Sequence, residues 1–311
     1  MQQAEVFRIA QLTDVHLGPL PFFWPWHWNV KRALGFINFW TKRSSFNDPT
    51  LVRRLVDDLK RQTFDHIAVT GDLANLGMPA EFVQCRKWLE EVGPPDEVTA
   101  IPGNHDIYTP LRSDPGIERW RPYMQARDGA DVVPGLPAPL FSGFPFVRTF
   151  GRFALINLNS AVCMPPAVAA GEVGQDQISR FAEMSRALHA AGFSRVVLIH
   201  HPPLPEHGPR GLRDAHAFEK ALIDVGAELV LHGHNHRGMI TWRDSVTGPV
   251  PIIGAGAAGE GVYNLYRLSR MPNGVVQIEV VVRVSSGMGK VFAERQRTTL
   301  DPAKEKRVRI V

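Results

Sequence analysis

Five short polar clusters, each closing an apolar run of strand-like composition, constrain this 311-residue chain more than any other feature. FRIAQLT leads into Asp14-Val-His16, HIAVT into Gly71-Asp72, and EVTAIP into Gly103-Asn104-His105-Asp106. RVVLI leads into His200, and AELVL into Gly233-His234-Asn235-His236. Five strand ends can aim their side chains at one point, and the carboxyl ends of strands are where open α/β sheets place their sites. The clusters run from residue 14 to residue 236, so no cut before about residue 240 keeps them together. A single domain over residues 1–289 is therefore expected, and a chain of this length can bury a sizeable core.

Between the clusters the apolar period changes from two to nearly four. Asp48-Pro49 reads as an N-cap followed by Pro at the first helical position; Leu51, Leu55 and Leu59 then share one face while Arg53, Arg54, Asp57, Asp58 and Lys60 take the other. Residues 79–92, 175–191 and 214–225 repeat the pattern, stopped by Gly93, Gly192 and Gly226. After His236 the runs PIIGAGAA, VYNLYRL and VVQIEVVVRV follow one another with only short breaks, which predicts antiparallel pairing. The expected fold is α/β, two packed β-sheets flanked by helices, with the site along one edge.

Residues 19–43 interrupt this alternation directly after the first cluster. PLPFFWPWHWNVKRALGFINFWTKR holds four of the seven tryptophans, Trp24, Trp26, Trp28 and Trp40, beside Lys31, Arg32, Lys42 and Arg43. Aromatic residues with a basic fringe suit peripheral contact with a membrane interface or the rim of an apolar pocket. An insertion that simply packs on the body, or a surface for a protein partner, are the alternatives.

The net charge of +4 is concentrated at the far end, where residues 290–311 hold seven Lys or Arg against three acids. This reads as a basic, solvated C-terminal tail, and the remaining body is formally neutral. Stable nucleic-acid binding is not expected. Two cysteines, Cys85 and Cys163, are too few for a disulfide framework and fit a cytoplasmic protein, peripheral on the inner membrane face if 19–43 touches lipid. The first residues enter a strand without the pattern of a secretory signal, and no stretch of eighteen apolar residues is present. Nothing in the sequence fixes an oligomeric state.

The clusters carry the ligand types that a pair of divalent cations needs. Hydrolysis of a phosphodiester is slow because its anionic oxygens repel a nucleophile and neutral water is a poor one. Two ions about 3.5–4 Å apart answer both difficulties. Asp14 and His16, two apart at a strand end, can project together and chelate one ion. Asp72, after a glycine that lets the backbone turn, suits a bridging carboxylate, and Asn104 supplies a neutral amide oxygen. His200 closes a buried strand, while His234 and His236 stand two apart and can reach both ions. Imidazoles mixed with carboxylate and amide oxygens favour Mn, Fe or Zn over Mg or Ca. His105 is the histidine of the set not assigned as a ligand. It is placed to protonate the leaving oxygen or stabilise transition-state charge, with Asp106 holding its tautomer.

A given tetrapeptide such as GNHD arises by chance in about one chain in a thousand of this length, and although DxH or GD alone would be weak, DxH, GD, GNHD and GHNH together in order make accident negligible. With its DxH, GD, GNHD, His and GHNH blocks the chain resembles the calcineurin-like metallophosphoesterases. The resemblance implies a β-sandwich with flanking helices. It also implies one metal on Asp14, His16 and His236, another on Asn104, His200 and His234, Asp72 as the bridge and His105 as catalytic helper. Gly71-Asp72-Leu73-Ala74-Asn75 with GNHD and His200-His201-Pro202-Pro203 is similar to the class III cyclic-nucleotide phosphodiesterase branch. The protein Ser/Thr phosphatases differ in having Asp-Arg-Gly after the GD block. The implied reaction is attack of a metal-bound hydroxide on a phosphodiester, a cyclic nucleotide or glycerophosphodiester. The alternative is a lipid-linked pyrophosphate such as UDP-2,3-diacylglucosamine at the membrane surface, and a remote one is a non-catalytic scaffold of the same fold.

The other candidates have plainer readings. His27, His66, His189, His207 and His216 are expected at surfaces or helix ends, and His232 as a buried hydrogen-bonding residue. His201 either orients substrate or satisfies its loop; Arg210 and Arg213 either reach a phosphate or serve solubility. Asn159-Ser160 is either supporting structure for the metal edge or a strand-end turn. The glycines at 254, 256 and 259 lack the following helix and acid of a dinucleotide loop.

Overall fold

The computed structural model describes residues 4–22, 24–39, 48–111, 113–205, 210–286 and 291–302. Strands β1 (Glu5–Leu12), β2 (His66–Val69) and β3 (Val98–Ala100) alternate with helices α1 (Val30–Asn38), α2 (Pro49–Leu59) and α3 (Pro79–Val92). A second alternation follows: β4 (Phe146–Phe150), β5 (Phe153–Asn157), α4 (Gln175–Ala190), β6 (Ser194–Leu198), α5 (Ala215–Val225) and β7 (Leu229–His232). The chain continues through β8 (Met239–Ser245), β9 (Gly248–Gly254), β10 (Val262–Arg270), β11 (Val276–Ser286) and β12 (Val291–Leu300).

These strands form two six-stranded sheets, ordered β12-β11-β10-β1-β2-β3 and β4-β5-β6-β7-β9-β8. In the first, the parallel strands β1-β2-β3 form one end and join the antiparallel β10-β11-β12 through β1; in the second, a parallel centre β5-β6-β7-β9 is flanked by the antiparallel β4 and β8. The expected sandwich of two sheets with outer helices is therefore present. Its layering follows from strand period two: Val196 and Leu198 of β6 enter the core between the sheets, while Val197 joins Phe181 and Leu188 of α4 and Phe218 and Leu222 of α5 outside. Both faces of β6 are thus buried, as its uninterrupted apolar run requires. Helix α2 starts as its sequence predicts, with the Asp48 carboxylate accepting from Thr50 N at 2.8 Å and Pro49 in the first turn.

Two expectations need correction. Residues 290–311 are not simply a tail, because Val291–Leu300 is the edge strand β12, paired antiparallel with β11. Phe292 and Leu300 anchor it in the core, and Arg297 pairs on its surface with Glu294 and with Glu279. Charges on an exposed edge also block further strand pairing. The domain therefore runs to at least residue 300, beyond the expected limit at 289; Lys290 and the basic residues from Lys304 onward lie outside the described residues. Second, β9 and β10 do not pair with each other. Gly254 lies in the second sheet and Val262 in the first, and the crossing between them carries the 3-10 turn Ala258–Glu260.

The insertion packs on the body through its charges. Asn29 caps α1 by accepting from Arg32 N at 2.9 Å. The buried Arg32 guanidinium donates to the carbonyls of His27, Leu76 and Gly77, and Lys31 Nζ donates to those of Tyr108 and Met164 at 2.7 and 2.8 Å. Trp40, Lys42 and Arg43 lie outside the described residues, as do Phe23 and His207.

Candidate metal centre

The five polar clusters follow the carboxyl ends of β1, β2, β3, β6 and β7, three from the first sheet and two from the second. Backbone hydrogen bonds join the loops: Asp14 N to Gly71 O, His16 N to Asp72 O, and Gly233 N to His200 O, each at 3.0 Å. Asp14, His16, Asp72, His234 and His236 all have φ between 46° and 70°, the left-handed region. Among the described residues only one other non-glycine, Ala167, does so. Each such conformation costs about 1–3 kcal/mol and persists where the surroundings over-determine it. The projection of Asp14 and His16 therefore comes from left-handed backbone beyond β1, not from the strand alternation expected. Gly103 permits a close approach, since a Cβ there would collide with the Asp72 carboxylate and backbone.

The geometry divides the side chains into two sets around Asp72. His16 and His236 stand with Asp14, their ligand-capable atoms within 4.8 Å of one another; His236 Nε2 lies 3.3 Å from Asp14 Oδ1. On the other side Asn104 Oδ1 lies 3.2 Å from His200 Nε2 and 2.9 Å from His234 Nδ1. Asp72 Oδ2 stands between, 3.8 Å from His16 Nε2 and 3.4 Å from His200 Nε2. All seven candidate ligands come together.

The far nitrogen of each imidazole is held by an acceptor. His16 Nδ1 donates to Ala74 O at 3.1 Å, His200 Nδ1 to Thr70 O at 2.7 Å, His234 Nε2 to Arg210 O at 3.0 Å, and His236 Nδ1 to Glu260 Oε1 at 3.3 Å. Such bonds fix tautomer and ring orientation and leave the inward nitrogen a lone pair, the form a metal ligand requires. The donor set fits a divalent cation by a second observation. Asp14 Oδ2 accepts from Thr13 Oγ1 and His234 N, but Asp14 Oδ1 is buried and accepts no hydrogen bond.

The electrostatics agree. Burial works to raise the Asp14 carboxyl, but contact with His236 and the nearby imidazoles outweigh it and hold it well below the carboxylate range. Asp72 is likewise lowered, with the charges of His200, His105 and His16 overcoming burial. Burial would lower His200, yet the Asp72 carboxylate pushes it up to about 9. The carboxylates thus sustain a field that stabilises positive charge at the centre. His234, pushed down to about 4 first by burial and then by His200, stays neutral.

His105 lies at the edge of this group, its ring edge-on to His16 with centroids 4.8 Å apart. Its tautomer is not held by Asp106, as expected, but by Asn75 O, 2.5 Å from His105 Nδ1. Asp106 is buried and engaged elsewhere: Oδ1 accepts from Leu73 N and Ala74 N at 3.0 and 2.8 Å, and Oδ2 from Gly103 N at 2.9 Å. It staples the Asp72 loop to the Asn104 loop. Burial, and after it the charge of Asp72, raises its carboxyl to about 7.

Other expectations sort as follows. His201 is a supporting residue, with Nδ1 against Ser160 Oγ at 2.8 Å and Nε2 against Ala169 O at 3.2 Å. Ser160 therefore supports the metal edge through His201. His232 is buried, as expected, with Nδ1 donating to Gly233 O at 3.1 Å. His66 is not at the surface: it is buried in β2 against Thr99 Oγ1 at 2.7 Å, because its alternate position on a central strand points inward. Arg213 pairs with Glu172 at 3.0 Å on the surface. Sequence reasoning missed Glu260, which the crossing from β9 to β10 brings beside His236. It also missed Glu81, whose buried carboxylate accepts from Asn75 N, Leu76 N and Met78 N and so shapes the loop holding His105. Glu81 had a signal, an acid in the first turn of a helix directly after the GD block.

Strand-end loops of two sheets converging on imidazoles and carboxylates define a metal-dependent phosphoester hydrolase, and the chain matches the calcineurin-like phosphoesterase family over residues 7–238. It belongs to that family. A probable cyclic nucleotide phosphodiesterase of Synechococcus sp. is 27% identical over 249 residues, 78% of this chain and 79% of that protein. A cAMP/cGMP dual specificity phosphodiesterase of Mycobacterium tuberculosis is 27% identical over 180 residues, 55% of this chain and 48% of its own length. In fold the chain is similar to a dimetal phosphatase from Danio rerio, with a TM-score of 0.59 at 13% identity, covering 95% of this chain and 99% of that one.

Proposed function

We propose that the centre takes two divalent transition-metal ions, Mn, Fe or Zn, and that the chain hydrolyses a phosphodiester. Asp14, His16 and His236 would hold one ion, Asn104, His200 and His234 the other, and Asp72 would bridge. The observation that carries this reading is the place of Asp72 Oδ2 between the two imidazole sets, 3.8 and 3.4 Å from their inward nitrogens. Bound there, the ions would activate water and neutralise phosphoryl oxygens. His105, its Nδ1–H held by Asn75 O, would act in its doubly protonated form, handing the Nε2 proton to the leaving oxygen and becoming the neutral imidazole. Hydrolysis of bis(p-nitrophenyl) phosphate after loading with Mn, Fe or Zn, with elemental analysis of the same sample, tests this. Two ions per chain with turnover support it, and a metal-loaded protein without turnover refutes it.

The named activities of the two relatives support a cyclic nucleotide as substrate, and a glycerophosphodiester presents the same chemistry. A second reading, a lipid-linked pyrophosphate such as UDP-2,3-diacylglucosamine, is favoured by one observation. The aromatic insertion docks on the loops that hold His105, through Arg32 on Leu76 and Gly77 and Lys31 on Tyr108. A panel of cyclic AMP, a glycerophosphodiester and a nucleotide-sugar lipid, with and without detergent, separates the two.

A further inference from the structure

Helix α1 is turned inside out. Its cations face the protein, with Arg32 buried on three carbonyls and Lys31 half-buried on two. Its aliphatic residues at i, i+4 and i+7 face solvent: Val30 is 72% exposed, Leu34 50% and Ile37 59%. A helix packed only for solubility would present the opposite faces. The preceding segment, tied to α1 by Trp28 edge-on to Phe36 with centroids 5.4 Å apart, adds further exposed apolar surface. Trp24 and Trp26 stack with ring centroids 5.0 Å apart while 52% and 70% exposed, and Phe22, 78% exposed, lies edge-on to Trp24. So many large apolar side chains exposed within one short segment mark an interaction face.

We propose that this face seats the protein on an anionic lipid bilayer, with the metal centre opening beside the headgroups. Exposed Trp and Phe beside a short apolar helix stripe match the headgroup boundary, where the rings find an apolar side and a wet one. Charge selects the occupant. Residues 15–47 contain no Asp or Glu, and although Lys31 and Arg32 turn inward they rest on carbonyls and form no salt bridge among the described residues, so their charge is not neutralised and its field extends to the face above them. The net positive charge of this stretch is complementary to anionic lipid, whereas a second copy of the chain would set like charges against each other. No helix of the described residues is long and apolar enough to cross a membrane, so the contact is peripheral. The lip is tied to the catalytic loops: Gly35 packs against the Tyr108 ring, which stacks on His105 with centroids 5.4 Å apart. The inference goes beyond the proposed hydrolysis and does not depend on which diester is cleaved.

Co-sedimentation of the full chain with phosphatidylcholine vesicles containing phosphatidylglycerol, and with phosphatidylcholine alone, tests the proposal. The wild type is compared with Trp24→Ser/Trp26→Ser and with Leu34→Ser/Ile37→Ser. Each double variant should bind the anionic vesicles at least about tenfold more weakly and keep its turnover of bis(p-nitrophenyl) phosphate. Wild-type binding that is absent, equal for neutral vesicles, or undiminished in both variants overturns the proposal. So does a dimer in sedimentation velocity that the variants dissolve without vesicle binding, which would assign the face to a second copy. Should a variant fold poorly, quenching of wild-type tryptophan fluorescence by brominated lipid gives the same decision. Vesicle binding without hydrolysis would sink only the proposed reaction, and hydrolysis without vesicle binding only this inference.

Discussion

At the residue scale, the side chains that position others are as informative as the candidate ligands. His105 has one nitrogen bound to Asn75 O and makes no set with Asp106, so its removal should leave the loops intact. His105→Ala is expected to lower turnover by roughly 10²–10⁴ with metal content unchanged, measured by steady-state kinetics beside elemental analysis. Concurrent loss of metal would mean that His105 is a ligand. Glu260 acts through His236, fixing which nitrogen carries the proton. Glu260→Gln should weaken metal affinity by about 10–100-fold in a competitive chelator titration, with Glu260→Asp partly restoring it. An unchanged affinity would reduce Glu260 to a surface carboxylate. The contrast shows what the sequence makes legible. Motif spacing pointed to Asp14, His16, Asp72, Asn104, His200, His234 and His236, because ligand type is a property of the residue. The partners of Asp106 and Glu260 were hidden, because they are set by loop backbone: three amides reach Asp106, and a sheet-to-sheet crossing delivers Glu260.

At the element scale, burial converts β2 into a source of pH dependence. His66 is held well below its ordinary value, first by burial and then by the charges of Arg148 and Arg127. The folded protein keeps this ring neutral, whereas the unfolded chain binds a proton near pH 6.5. Stability from this group is therefore present above that pH and lost as pH falls, by up to about 1.4 kcal/mol per unit. Urea unfolding between pH 4.5 and 6.5 should show a shallower slope for His66→Gln than for the wild type; parallel slopes would contradict the argument. Helices α2 to α5 and the parallel strands were legible from period and caps. Strand β12 was not, because its Lys and Arg density resembles a solvated terminus and only Phe292 and Leu300 betray its buried side. Helix α1 was obscure for the opposite reason. Its charged residues are the ones that face the protein, so its apolar stripe points to the wrong side for a core.

At the scale of the whole molecule, the centre is a joint between two sheets. Asp14, His16, Asp72 and Asn104 follow strands of the first, and His200, His234 and His236 follow strands of the second. Apart from this edge the sheets are joined by the apolar core and by a few polar ties. The buried Arg148 of β4 is one, donating to the carbonyls of Gln125, Pro122, Pro95 and Val98, the last in β3. Metal ions seated among both sets of loops would add a cross-sheet clamp, stabilising the native state by about 2.7 kcal/mol at a free concentration one hundred times Kd. Chelation should then lower Tm. By hydrogen exchange it should speed opening of the loops around residues 13–17, 71–76, 103–108, 200–201 and 233–237 together, while α4 and α5 keep their protection, since their apolar contacts lie on the outer face of the second sheet. Loops of only one sheet responding would mean that the ions are held within that sheet alone. A uniform response that includes α4 and α5 would instead make metal a condition of global folding.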